Sequence, residues 1–519
     1  MPYAITQSCC SDASCVSVCP VNCIHPTPDE PDFGTTEMLY VDPRACIDCG
    51  ACADACPVDA IFPVDSLLAG PDAAYVDLNR EHYRPDEAPD PTDGAAEVPD
   101  EVAAGDDRGW SAQTFPVALA AHASGLRVAI VGTGPSASYT AAALLTTSAE
   151  VTLVDRLPVA GGLVRFGVAP DHGSTRAITD RFATVFRNPR LEMCLGVEVG
   201  RDVTHAELLE HHDAVVYAVG ASADRTLDVP GEDLPGSLAA RQVVGWYNGQ
   251  PEVPADLVDL DGPTRVVVVG NGNVALDVAR LLLADPEDLA DTPLARHALS
   301  ALRRSTVREV VLLGRRGPAD AAYSLSELRP LLAHPDLDVV VEGDAAVAAA
   351  VAAAAPGSKA AALQGLPLTD PGATPAPGAR RRLVLRFGSV VERVDGDDRV
   401  TSVRLAPTSG DGPTTDLPTG LLLRSVGYRS EPVAGLPFDP VTHTVPHVGG
   451  RVVDPATDEP VAAAYVVGWV KRGPRGGIGS NRADASETVA SLVDDANTGR
   501  IATGRGSARS FRRLVRSRR

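Results

Sequence analysis

Nine of the chain's ten cysteines fall within its first 56 residues, and their spacing limits what that stretch can become more than any other feature. The run Cys46-x2-Cys49-x2-Cys52-x3-Cys56-Pro57 places three thiolates where they can wrap one corner of a [4Fe–4S] cube, while the fourth cysteine, ahead of a proline, points away toward a second cluster. Cys19-Pro20 reads as the reciprocal half of that arrangement. A zinc site would want paired C-x2-C units, and the Cys-Pro ending argues against a disulfide framework. The string CPVNCI at Cys19 recurs as CPVDAI at Cys56, which implies two similar halves about a pseudo-twofold axis.

At 519 residues, the chain has room for roughly three domains of about 150 residues each. Residues 1–65 form the cysteine-rich module, expected to be small and α+β. Residues 66–124 read as an acidic, Pro/Ala-rich, self-repelling linker, with Trp110 and Phe115 pinning its far end. From Leu126 onward, apolar strands alternate with helices, which implies α/β architecture with parallel sheets. Two Rossmann-like units are expected, one from 125–235 together with 413–499, the other from 236–412. Residues 344–380 read as a surface excursion, and the Arg- and Ser-rich tail 500–519 as disordered. The net charge of −22 argues against a nucleic-acid partner and suits docking onto a basic redox protein. The N-terminus MPYAITQSCC shows no signal-peptide pattern, and no apolar run is long enough to cross a bilayer. A cytoplasmic location and no membrane partner are therefore expected.

Two glycine fingerprints follow apolar strands. In Gly132-Thr133-Gly134-Pro135-Ser136-Ala137, the first glycine permits the tight turn and the second lets a pyrophosphate approach the backbone at a helix start. Asp155 ends the next strand, 23 residues after Gly132, where an acid would hold a ribose hydroxyl. In the second, Gly270-Asn271-Gly272-Asn273-Val274-Ala275, the following strand ends in Gly314-Arg315-Arg316-Gly317 instead of an acid. Two guanidinium groups there suit the extra phosphate of NADP.

From Arg127 to about Val489 the chain resembles the adrenodoxin-reductase-like ferredoxin–NADP reductases. The resemblance is carried by GTGPSA, GGLVRFGVAPDH (161–172), YAVGASADR (217–225), PGEDLPGS (230–237), GNGNVALDVAR (270–280), GRRGP (314–318) and GWVKRGPRGGIGSN (468–481). It implies FAD at the first fingerprint, with Ser136 and Asp155 on its ADP half, Leu163 and Val199 further along, and Trp469, Gly476, Gly477 and Ile478 at the isoalloxazine. It implies NADP(H) at Asn273, Val274, Ala275 and Leu276, with Arg225, Arg315 and Arg316 around the 2′-phosphate and Glu327 and Gly476 near the nicotinamide. His172 matches a family histidine near the flavin, where it would tune the flavin or shuttle a proton. The family often reads E-L-R-E where this chain has Glu327-Leu328-Arg329-Pro330, so a relay using the second acid is not available here.

The N-terminal module resembles bacterial two-cluster ferredoxins of the seven-iron kind. By that match Cys19, Cys46, Cys49 and Cys52 hold one [4Fe–4S] cluster. Cys15 and Cys56 hold the other, with Cys9 or Cys10 as third ligand. One of the two gives [3Fe–4S], both give [4Fe–4S], and Cys9 with three irons is the expectation. Cys23 would be unused, and Cys194 a buried apolar residue. Together these features imply a ferredoxin–NADP reductase with a built-in ferredoxin. NADPH would be its donor, and a redoxin or monooxygenase its outside acceptor. An electron-input subunit of a glutamate-synthase-type complex is the alternative; the GRRGP and WVKRGP strings argue against it.

Overall fold

The computed structural model describes all residues except 1, 35, 37, 69, 84–117, 370–379, 411, 503, 505 and 519. Most of the expected linker, with Trp110 and Phe115, lies outside the described residues.

In the cysteine-rich module, Tyr3–Ile5 pairs antiparallel with Ile61–Pro63, and Ile24–His25 with Tyr40–Val41. Ile5, Ile24, Val41 and Ile61 turn inward onto one small core. The CPV repeat is realised in the backbone. Asn22 and Asp59 both sit at φ 48°. The amides of Cys23 and Ala60 donate to Cys19 Sγ (3.4 Å) and Cys56 Sγ (3.3 Å). The module does not end at residue 65. The helix Ala74–Tyr83 packs back on it, and Asn79 accepts from Ile5 N (3.1 Å) and Val41 N (2.8 Å) while donating to Ile5 O (2.8 Å). One buried amide side chain thus ties both strand pairs together. The helix escaped the sequence reading because only Tyr75, Val76, Leu78 and Asn79 are buried and the rest is polar.

The first Rossmann-like sheet has seven strands in the order His447–Val448, Arg451–Asp454, Glu459–Val466, Ala214–Tyr217, Arg127–Val131, Glu150–Asp155, Leu191–Leu195. Its last five strands run parallel. The second sheet, seven parallel strands, runs Ser237–Ala239, Leu421–Arg424, Arg265–Val269, Glu309–Gly314, Arg381–Phe387, Leu337–Glu342, Leu368–Thr369. Leu421–Arg424 lies inside this second sheet, so its domain extends past the expected boundary at 412. Three consecutive buried leucines need a strand covered on both faces, which this place supplies. An antiparallel sheet of Ser389–Asp395, Ser402–Pro407 and Thr415–Pro418 covers one face. The excursion at 344–380 contributes the helix Ala345–Ala352 and the edge strand Leu368–Thr369.

The tail is not disordered. Ala508–Ser517 is a helix whose Phe511 is buried against His212, ring centroids 5.0 Å apart. Arg518 pairs with Glu207 (2.5 Å), and Arg512 with Glu192. Phe511, Leu514 and Val515 form a narrow apolar stripe at helical spacing among the arginines, and the stripe docks. Among the described residues no helix is long and apolar enough to cross a membrane.

Candidate redox site

The thiols gather into two groups. Cys9, Cys10, Cys15 and Cys56 line one small cavity, with Leu39, Val58, Ala60 and Ile61 forming the rest of its wall. Ser11 and Ala13, both left-handed (φ 53° and 57°), curl the loop around it. The amides of Ser11 (3.4 Å) and Leu39 (3.5 Å) point at Cys9 Sγ. Burial pushes the Cys9 thiol up to about 11 and raises Cys10 and Cys15 further. Sulfurs that are hard to ionise alone but ringed by amide donors fit a cluster whose iron takes the negative charge.

The second group is Cys19, Cys46, Cys49 and Cys52. Burial holds Cys52 at about 11, and the charges of Cys46, Cys19 and Cys49 add to the effect. Cys23 stands in this group too, its sulfur 3.4 Å from Cys19 Sγ. The two thiols share a hydrogen bond that holds Cys19 down and pushes Cys23 up. Cys23, expected to be unused, is the neighbour of an expected ligand. Cys194 is buried in the first domain, as expected.

The first group faces the first domain. Gly479 N donates to Cys10 O (2.6 Å), and a Cβ on Gly479 would collide with the Ser11 backbone. Ile478 and Tyr139 share a core with Cys10, Val58 and Ala60. The buried Asp12 carboxylate accepts from Arg181 Nη1 (3.2 Å), and Arg482 Nη1 donates to Asp12 O (3.0 Å) and Ser14 Oγ (2.8 Å). Across the cleft, the helix Ala74–Tyr83 reaches the second domain. The Tyr75 hydroxyl lies 3.1 Å from Ser326 O and 2.7 Å from Gln7 Oε1, and Arg329 donates to Glu81 (2.5 Å). The module is clamped to both domains with its Cys9–Cys56 half inward, while Cys49 is exposed.

At the first fingerprint Gly132 (φ 111°) has no room for a side chain, since a Cβ would meet Ala218 O at 2.5 Å. The helix Pro135–Leu145 starts with no side-chain cap at Gly134, leaving its amides to a ligand. Asp155 Oδ2 accepts from Thr133 Oγ1 (2.5 Å) beside them. Leu163 and Val219 are exposed next to this turn and give the groove an apolar wall. Ser136 is buried and donates to Asn481 Oδ1 (2.7 Å), tying that helix to Ser480–Asn497. Trp469 lies 5.5 Å from Tyr428, its Nε1 donating to Arg475 O (3.1 Å). Gly476 and Gly477 precede Ile478 at the module contact. Val199 is partly buried against the core that contains Val154 and Val197 in the same domain.

The second fingerprint repeats the device. Gly270 abuts Ser425 O, and Asn273–Leu283 begins uncapped. Asn273 bonds Ser324 through both amide atoms (2.8 and 3.0 Å), leaving Val274, Ala275 and Leu276 in the first turn. Gly270 N donates to Leu313 O (2.9 Å), which puts Arg315 and Arg316, both exposed, beside that turn. Arg225, also exposed, is held there through Gly427 O (3.1 Å). Both glycine cradles fit a dinucleotide.

His172 lies between the domains, with Nε2 4.0 Å from Glu327 and 3.9 Å from Asp277. The sequence reading missed the residue at their centre. Arg280 Nη2 donates to His172 Nε2 (2.9 Å) and Asp277 (2.5 Å), and Nη1 pairs with Asp171. The three side chains His172, Asp277 and Glu327 have a spacing that would suit a metal ion. Arg280 already supplies the positive charge and takes the imidazole lone pair that a metal would need. Arg280 closes the GNGNVALDVAR string, so the signal was in view.

Residues 39–62 match the 4Fe-4S binding domain family, and residues 126–290 the pyridine nucleotide-disulphide oxidoreductase family. The "probable ferredoxin/ferredoxin--NADP reductase" of Mycobacterium bovis is 46% identical over 525 residues, covering 100% of this chain and 88% of that protein. The chain belongs to the ferredoxin/ferredoxin–NADP reductase family. The "NADPH-ferredoxin reductase FprA" of Mycobacterium tuberculosis is 42% identical over 70% of this chain and 83% of its own length. The solved structure of that FprA in complex with NADPH superposes with a TM-score of 0.67 at 40% identity, covering 76% of this chain and 90% of that one. As a ferredoxin/ferredoxin–NADP reductase, the chain is an oxidoreductase carrying its own iron–sulfur segment. Pro330 lies inside the helix Leu325–Leu332, and the preceding Arg329 turns to Glu81 of the ferredoxin module.

Proposed function

We propose that this chain is an NADPH-dependent ferredoxin reductase that reduces its own ferredoxin module, which then serves an external acceptor. FAD, when bound, accepts a hydride and gives up single electrons, and iron–sulfur clusters carry them one at a time. The uncapped helix at Pro135 and the Gly132 turn bind the FAD pyrophosphate, with Asp155 toward the ribose and Ser136 tying the site to Asn481. Leu163 and Val199 border the groove, and Trp469, Gly476, Gly477 and Ile478 border the ring end. The amides of Asn273 and Val274 take the NADP pyrophosphate, with Ala275 and Leu276 in the same first turn. Arg225, Arg315 and Arg316 select its 2′-phosphate.

Glu327 and Gly476 border the nicotinamide. Arg280 donates to His172 Nε2 and so fixes the imidazole in place, while Glu327, 4.0 Å from that nitrogen, stays free of it. Cys9, Cys15 and Cys56 hold one cluster, and Cys19, Cys46, Cys49 and Cys52 a [4Fe–4S] cluster. Cys9 is favoured over Cys10 because two amides already point at its sulfur, which leaves three irons in the first. The observation that carries the reading is the Gly479–Cys10 hydrogen bond, which seats the Cys9 loop beside the segment Gly476–Ile478.

The test is steady-state oxidation of NADPH and NADH by the cofactor-loaded chain with ferricyanide as acceptor. NADPH should be preferred, and Arg315→Ala with Arg316→Ala should raise its KM by about tenfold, near 1.4 kcal/mol, leaving NADH unchanged. Equal use of both nucleotides would contradict the assignment.

A further inference from the structure

The outward thiol group lies on a surface shaped for transient contact. Cys49 is exposed, and three aliphatic side chains around this group are exposed with it: Val18 (40%), Val21 (36%) and Ile47 (59%). Val18 and Val21 bracket Cys19, and Ile47 lies between Cys46 and Cys49. The turn Val16–Val18 packs on the helix Ala51–Ala55, which brings the Cys19 and Cys49 segments to one face. Asp48 and Asp54, both exposed, lie beside it, one next to Cys49 and the other two residues after Cys52. The sequence contains a single Lys or Arg before residue 80, Arg44, and it is paired with Asp42 (3.1 Å).

An apolar centre inside an acidic rim, over a redox-active thiol group, is an arrangement with a direction. Coulomb attraction gathers a cationic protein, and the aliphatic centre gives brief, non-directional contact without locking it in place. The inward group cannot serve this role, because Gly479 and Ile478 cover it.

We infer that the face formed by Val18, Val21, Ile47 and Asp54 around Cys49 is the exit surface, and that its partner is a one-electron acceptor protein with a cationic rim. The inference rests on the proposed function. Each encounter transfers one electron: the chain is oxidised, the acceptor is reduced, no bond forms or breaks, and no proton moves.

The test uses the full-length, cofactor-loaded chain and ferricytochrome c, a small basic haem protein, as probe. Ile47→Lys and Asp54→Lys are compared with Glu459→Lys, an equal charge change at an exposed position of the first domain. Calorimetry on the oxidised chain without NADPH gives Kd, and NADPH-driven cytochrome c reduction gives KM across a salt series. Both constants should rise about tenfold in the two face variants, with a flatter salt dependence, and stay within about twofold in Glu459→Lys. Val18→Lys repeats the test should Ile47→Lys lose iron. Unchanged constants in the face variants overturn the exit surface. If those constants shift while NADPH leaves the wild-type cluster absorbance oxidised, the docking face stands and the inward electron path fails.

Discussion

Cys56 and Cys19 each open a Cys-Pro-Val turn, each is followed three positions on by a left-handed residue, and each accepts an amide from the fourth. Their surroundings are opposite. The Cys56 half is enclosed by Ile478, Tyr139 and the Gly479 amide, whereas the Cys19 half carries exposed Cys49 and Ile47. Local sequence built the same sulfur-binding turn twice. What each turn does is decided by the packing around it, so a symmetric carrier becomes polarised, with an inward end and an outward end.

The comparison breaks most completely if the inward end is pushed off its seat. Gly479→Val puts side-chain atoms where the Ser11 backbone lies, a misfit of about 1–3 kcal/mol or more. Cytochrome c reduction should then fall far more steeply than ferricyanide reduction, as steady-state rates with both acceptors would reveal. Equal losses would mean that the seat has no part in transfer. Removing the guanidinium partners of Asp12 acts on the same seat more gently. The double variant Arg181→Ala, Arg482→Ala removes both cations from a buried carboxylate that keeps only its bonds from Ser14, and about 1–3 kcal/mol of docking energy should be lost. Hydrogen exchange at the amides of Ser11 to Ser14 would then speed up, and an unaltered rate would contradict the clamp.

Tyr75→Phe deletes the hydroxyl that meets Ser326 O of the second domain and Gln7 of the ferredoxin module, at about 1 kcal/mol. Its mark should be a small rise in KM for NADPH, because Ser326 adjoins Glu327. The smallest change sharpens the comparison by making the halves alike. Cys23→Ala turns CPVNC into CPVNA, matching Ala60 of CPVDA. It removes one S–H donor from Cys19, about 0.5–1 kcal/mol. Iron content should hold, and the potential of the outward cluster should move to a more negative value, as redox titration would read.

Much of this was legible in the residues because cluster ligands and phosphate-binding turns have fixed spacings. Eight of the N-terminal cysteines gather into two groups, both glycine turns join a strand to a helix, and Arg315 and Arg316 follow the strand beside the second turn. The contacts between modules were not legible. Arg181, Arg482 and Arg280 are unremarkable arginines until the fold brings Asp12, His172 and Asp277 to them. The helix Ala74–Tyr83 reads as part of a polar linker because its buried face is a single stripe with an asparagine at its centre. The docked tail was hidden in the same way, three apolar residues among arginines. Leu421–Arg424 joined the second sheet through a parallel pairing to Arg265–Val269, more than 150 residues earlier, which no local pattern announces.

The central claim is that electrons enter the ferredoxin module at its inward end, and rapid anaerobic mixing with NADPH addresses it most directly. Flavin and cluster absorbance would be followed together, with freeze-quenched paramagnetic resonance to separate the two clusters. The account predicts that the flavin bands bleach first, cluster absorbance follows, and the Cys9–Cys15–Cys56 cluster changes state no later than its neighbour. Bleached flavin beside clusters that stay oxidised, or reduction of the outward cluster ahead of the inward one, would contradict it.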